Sequence, residues 1–300
     1  MNKKLKIIGL LLLVLAGSGF LIFFEYQYGF VLPESLPEEE INEIDDFNAG
    51  DLIYNSTLSS KSDIDDWKME GPGDVSFEGG WMEMDSPDEE GNHVFWCPEE
   101  FPGSFIATWN AQNLNTEAGL VIVFFAAKGK NGVSVLDSSL PERDGTFEQY
   151  TRGAIQCYHI SYYANAKHNP GRESANLRKN PGFNQVQKGR KGIPIESEEV
   201  QKITLVKNGP HIAFFINNRE VINWYDSGLI DTSSHKKGQI GFRQMKWTHF
   251  RYSNLSVWDL DSAENVKDHQ DAPFAVPSMP LVIIGVVFIA LAAILVYKKF

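Results

Sequence analysis

The sequence predicts an all-β fold, a jelly-roll β-sandwich flanked by two transmembrane helices. Three observations carry this. Between residues 51 and 260, short runs of alternating or wholly apolar residues recur, each closed by Gly, Pro, Asn or Asp. No long amphipathic helical pattern interrupts them. Near each end the chain carries an apolar run of about transmembrane length.

The first run, "LKIIGLLLLVLAGSGFLIFF" at 5–24, has Lys6 as its only charge and would give about 30 Å of helix. Residues 1–26 are read as a signal anchor or, alternatively, a signal peptide. The anchor is preferred, because the run exceeds the usual h-region and no A-x-A site follows it. Residues 27–50 form an acidic spacer. Glu34, Glu38, Glu39, Glu40, Glu43, Asp45, Asp46 and Asp51 fall within 34–51 without a lysine or arginine. The folded domain covers 51–260, a linker 261–279, and a C-terminal transmembrane helix 280–300. That last segment contains "PLVIIGVVFIALAAILVY" followed by Lys298 and Lys299. Lys3, Lys4 and Lys6 flank the first run, so both tips are expected in the cytoplasm and the domain outside the cell membrane.

Within the domain, "GWMEMD" (80–85) alternates, and "SFIATWNA" (104–111) follows. "AGLVIVFFAA" (118–127) is almost wholly apolar, as a strand buried on both sides should be. "AIQCYHISYY" (154–163) is next, then "QKITLVKNG", "HIAFFINN" and "REVINWYD" across 201–226. Asn208-Gly209 and Asn217-Asn218 are hairpin signals within that meander. "GQIGFRQM" (238–245) and "FRYSNLSVWDL" (250–260) close the domain, with Gly238 and Gly241 suited to close sheet–sheet approach.

Net charge is −12, yet 143–191 holds nine basic residues against three acids. A basic island in an acidic chain points to an anionic ligand or to a solvated loop paired with acids elsewhere. Nucleic acid is a poor partner for a region outside the cell. Cys97 and Cys157 are too few for a disulfide framework, and whether they pair is left open.

"SDIDDWKMEGPGDVSFEGG", "HVFWCPEEFPG", "GLVIVFFAAKG", "CYHISYY", "NLRKNPGF" and "KGQIGFRQM" occur in this order. On these blocks the chain resembles the YesU-like bacterial domain-of-unknown-function family of the concanavalin A-like lectin/glucanase group. The resemblance implies a curved concanavalin A-like jelly roll and a link to the use of pectin- or rhamnogalacturonan-like polysaccharide. It supplies no reaction. The two hydrophobic ends depart from the bare globular domain of such members and argue against a cytoplasmic role.

A retaining glucanase needs a carboxylate pair on one strand. "EIDD" (43–46) lies in the spacer and "ESEEV" (196–200) lacks a strand pattern, so that chemistry has no visible home. A polysaccharide lyase needs a cation beside the uronate carboxylate, and His or Tyr as acid and base. On a regular strand Cys157, His159, Ser161 and Tyr163 share one face, with His159 and Tyr163 about 13 Å apart. His159 and Tyr163 are therefore the candidate acid–base pair and Arg178 the neutraliser. Tyr150, Arg152, Ser161, Asn176, Lys179, Trp96 and Arg243 are the candidate substrate-binding residues. His159 could equally be a structural hydrogen bonder, and the large aromatics could be core. No metal or cofactor is expected. Structural Ca²⁺ occurs on such folds, but no D-x-D-x-D-G string is present. The leading expectation is a membrane-tethered extracytoplasmic protein that binds or processes an acidic glycan. The alternatives are a lyase and a structural or adhesion domain without a sugar site.

Overall fold

Alternating sequence becomes sheet where each apolar face finds a partner, and here two sheets supply one another. The computed structural model describes residues 47–86, 91–165, 172–228 and 234–260, with the two-residue strand β1 (Phe30–Val31). Apart from Phe30 these belong to one compact unit, Val31–Asn265. The strands that follow are β2 (Ala49–Ser56), β3 (Lys68–Glu70), β4 (Asp74–Glu78), β5 (Trp81–Asp85), β6 (His93–Trp96), β7 (Ser104–Asn113) and β8 (Leu120–Gly129). A short helix α1 (Phe147–Thr151) precedes β9 (Ile155–Ala164), β10 (Ser174–Asn180) and β11 (Asn184–Lys191). The last are β12 (Gln201–Asn208), β13 (His211–Ile216), β14 (Arg219–Tyr225), β15 (Gln239–Gln244) and β16 (His249–Leu260).

The first sheet runs β1-β11-β10-β9-β8-β15-β6-β3. The second runs β14-β13-β12-β7-β16-β5-β4, with β2 also paired to β16. The expected all-β sandwich is present. Its core lies between the sheets and includes Val121, Val123 and Phe125 of β8, Tyr158 and Ile160 of β9, and Trp109 of β7. Each such side chain contributes roughly 1.5–3 kcal/mol on burial. The meander turns fall where expected, with positive φ at Gly209 (56°), Asn217 (51°) and Asn218 (66°).

β8 is buried on both sides for a specific reason. Its outward residues Ile122, Phe124 and Ala127 lie in a second apolar cluster with Val135 and Tyr150. Leu136, Leu140 and Phe147 pack on the same cluster. The segment 130–153, including α1, thus straps the outer face of the first sheet. The two glycines have roles other than sheet–sheet contact. A Cβ on Gly241 would sit 2.4 Å from the Trp96 ring, and one on Gly238 would meet the backbone of Ala127 at 2.4 Å.

Part of the basic island, expected as a loop, folds as the hairpin β10–β11 around Pro181–Phe183. Ala175, Leu177 and Lys179 are its inward residues, so one lysine in the apolar register hid the strand. Cys97 and Cys157 are both free and buried. Residues 5–24, 32–46 and 261–300, which carry both apolar runs, most of the spacer and the linker, lie outside the described residues. Among the described residues no helix is long and apolar enough to cross a membrane.

Candidate ligand-binding face

Residues in cross-strand register share a sheet face, so two ladders define the outer face of the first sheet. One runs Trp96, Gly241, Phe124, His159, Arg178, Gln185 across β6, β15, β8, β9, β10 and β11. The other runs Val94, Arg243, Ile122, Ser161, Asn176, Lys188 across the same strands. His159, Ser161, Asn176 and Arg178 are therefore brought together, on two adjacent strands.

Tyr163 does not join them. The β8–β9 register slips between Val121↔Tyr163 and Ile122↔Ser161, so β9 spends one extra residue there. Such a bulge reverses the alternation, and both Tyr162 and Tyr163 enter the inter-sheet core. The Tyr163 hydroxyl accepts from Asn113 Nδ2 (3.0 Å) and donates to the Ile195 carbonyl (3.3 Å). The proposed His159–Tyr163 pair is separated by the sheet itself.

His159 is 2% exposed. Its ring meets Phe124 and Phe147 edge-on at 5.4 and 5.9 Å and stacks on Phe183 at 6.0 Å. Nδ1 accepts from the Asn180 side-chain amide at 2.8 Å, which leaves the proton of the neutral ring on Nε2. Burial holds its pKa well below 6.5, and repulsion by Arg178, Arg172 and Arg243 adds to that. His159 is thus an uncharged donor ringed by cations.

Arg178 is half-buried, with its guanidinium 3.9 Å above the Phe183 ring. It donates to the Phe183 carbonyl (3.1 Å) and Gln185 Oε1 (2.7 Å). Arg172, also half-buried, donates to Ser161 Oγ at 2.6 Å. Burial, and then Arg172, lower the Arg178 pKa to about 10, so it is cationic at neutral pH. Among the described residues, neither arginine is salt-bridged to a carboxylate. Asn176 Nδ2 donates to the Ser174 carbonyl at 2.9 Å.

The other candidates are placed elsewhere, each for a physical reason. Trp96 and Tyr150 are fully buried and both donate to Glu70 Oε2 at 2.9 Å. Lys179 faces the interior and pairs with Asp226 at 2.8 Å. Arg243 is fully buried beneath the strap, donates to the Gly145 carbonyl (2.9 Å) and lies over the rings of Phe147 and Tyr150. Its Nε and Nη1 have no hydrogen-bond partner among the described residues. Arg152 is exposed at the C-cap of α1, outside the strands of the ladders. Sequence reasoning missed Arg172, Asn180, Phe147 and Phe183. Only the basic character of Arg172 was a signal.

Among the described residues no group of three or more His, Cys, Asp or Glu side chains converges to hold a metal. A cavity of about 730 Å³ adjoins the far end of β10–β11, but its Lys191 pairs with Glu173 and its Arg190 with Glu220. The cationic excess lies on the ladders.

The family model described as "Domain of unknown function (DUF1961)" matches residues 51–257. The uncharacterized protein YesU of Bacillus subtilis (strain 168) is 36% identical over 215 residues, covering 70% of this chain and 97% of YesU. A crystal structure of a Bacillus subtilis protein of unknown function with a galectin-like fold superposes with a TM-score of 0.67 at 34% identity. It covers 70% of this chain and 97% of its own. The sandwich is therefore galectin-like.

Proposed function

This chain belongs to the DUF1961 family, and from that premise and the outer face of its own sheet we propose that it binds an acidic glycan. One observation carries the reading. Arg172 and Arg178 sit half-buried beside the uncharged donor His159, and among the described residues no carboxylate pairs with either arginine. Every strong group there donates, so the matching ligand is rich in acceptors and carries negative charge. Half-buried Phe147 and Phe183 pack edge to face beside the arginines and add apolar surface to this face.

Binding is favoured over lyase chemistry. A lyase needs a second proton-transfer group on this face, and Tyr163 is on the other side of the sheet. His159 is a weak base among three cations. The test is retention of the full chain by immobilised polygalacturonate against neutral galactan. We expect retention on the first alone, lost about ten- to a hundredfold in Arg178→Ala, which removes charge-assisted bonds. Equal retention on the neutral polymer would sink the reading. So would release of unsaturated uronate ends that disappears in His159→Ala, which would restore the lyase.

The reading includes tethering by both ends, with the domain outside the membrane. It is supported by the apolar runs at 5–24 and 280–297 with their flanking lysines.

A further inference from the structure

We propose that the acidic spacer, rather than being a solvated tether throughout, carries an amphipathic helix, residues 36–47, docked on the outer face of the second sheet. The inference stands apart from the glycan reading and starts from the sheet. On β7, β12 and β13 the core takes Phe105, Ala107, Leu205, Ile212 and Phe214. The alternate residues Ile106, Val206, Ala213 and Phe215 therefore face outward, with Ile106, Val206 and Ala213 in one register. Towards one end of the strands this face has the usual polar pattern, with Asn110, Gln112 and Lys202. Here it is apolar instead, and those four residues and Leu260 are only 0–7% exposed. An outward sheet face is so well covered only beneath a further layer.

Phe47 and Ala49 belong to that layer, and the Phe47 ring sits 5.5 Å from that of Phe215. Phe47 lies in a 3₁₀ turn, as the last turn of a helix often is. Asn48 follows at φ 53°, the left-handed conformation on which helices commonly end. The end of a helix is thus seated on the apolar face, and the compact unit that holds the sandwich begins upstream, at Val31. The sequence before Phe47 supplies the rest of the helix. "SLPEEEINEIDDF" (35–47) opens with the capping-box pair Ser35 and Glu38, has Pro37 in the first turn, and places acids at the positive end of the helix dipole. At 3.6 residues per turn Leu36, Ile41, Ile44 and Phe47 fall within an arc of about 140°, in which Glu40 is the one acid. Glu38, Glu39, Glu43, Asp45 and Asp46 take the opposite side. Such a helix is about 18 Å long, enough for the roughly 14 Å across β13, β12, β7 and β16. Residues 32–35 precede the cap and stay open as the link. The outward acids add negative charge to the second sheet, which steers an anionic ligand to the cationic face of the first.

The experiment is hydrogen exchange on the full-length protein in detergent, with light scattering on the same sample. The amides of 39–47 should exchange about a hundredfold more slowly than in a free chain, or slower still. Ile41→Asp combined with Ile44→Asp changes only the spacer, so it should return 39–47 to free-chain exchange while β8 and β9 keep their protection. Phe215→Ser should release the same amides from the sheet side. Free-chain exchange of 39–47 in the unsubstituted protein overturns the inference. Protection that survives the paired aspartates overturns it too, because the helix would then be held by something other than its apolar arc. Protection that disappears on dilution, together with a dimer, would give the face to a second copy of the chain and overturn it as well.

Discussion

His93 and His159 face opposite sides of the first sheet, and both are kept uncharged chiefly by burial. His93 is fully buried on β6, with Nδ1 against Ser86 Oγ (2.9 Å) and the Gly91 carbonyl (3.1 Å). Burial pushes its pKa down to about 4, against 6.5 for a free imidazole, and Arg243 adds repulsion. Above pH 6.5 neither folded nor unfolded chain protonates it. Between 6.5 and about 4 only the unfolded chain does, so stability falls as the pH falls through that window. From pH 7 to pH 5 the loss should be roughly 2 kcal/mol. Urea titrations at the two pH values should show it, and His93→Gln should flatten the difference. An unchanged slope in that variant would contradict the assignment. At this scale the sequence displayed the right chemistry on β9 and missed its geometry. His159 and Ser161 were legible as polar residues in strand register, whereas Arg178 was expected in a loop and the facing of Tyr163 depended on a bulge against β8.

The strap over the first sheet is the element that decides what the sheet can touch. Its hydrogen bonds converge on Glu70, 7% exposed, which accepts from Trp96 Nε1, Arg143 Nε, Arg143 Nη2 and the Tyr150 hydroxyl. Glu70→Ala should cost about 3–5 kcal/mol, because it strands a buried guanidinium as well as two neutral donors. Hydrogen exchange should then rise through 130–153 while the β12–β13 hairpin keeps its protection. Uniform loss across both sheets would mean that Glu70 supports the whole sandwich rather than the strap. Nothing in "VSVLDSSLPERDGTFEQY" announces this role, because the partners Glu70 and Arg243 lie 73 to 98 residues away along the chain. The hairpin β10–β11 was disguised for a related reason. Lys179 takes an inward position that reads as polar until Asp226 is seen beside it.

At the scale of the whole molecule, a chain of net charge −12 concentrates cations on one sheet face and acids in the spacer. The proposed topology puts the sandwich outside the membrane, between two anchors. An impermeant protease applied to intact cells should release a fragment carrying the sandwich, by cutting within both 32–46 and 261–279. Protection in intact cells, with cleavage only after lysis, would put the sandwich on the other side and overturn the topology.

The sequence by itself determined the class of fold, because strand alternation, the doubly buried β8 and the Asn-Gly and Asn-Asn turns are local properties of neighbouring residues. It also marked the stretch in which the cations fall. Only the tertiary structure decided which of them face a ligand. A one-residue bulge turned Tyr163 inward, a distant aspartate drew in Lys179, and the strap sealed Trp96, Tyr150 and Arg243. Each outcome depends on partners far along the chain, and periodicity, which compares a residue only with its neighbours, carries no information about them.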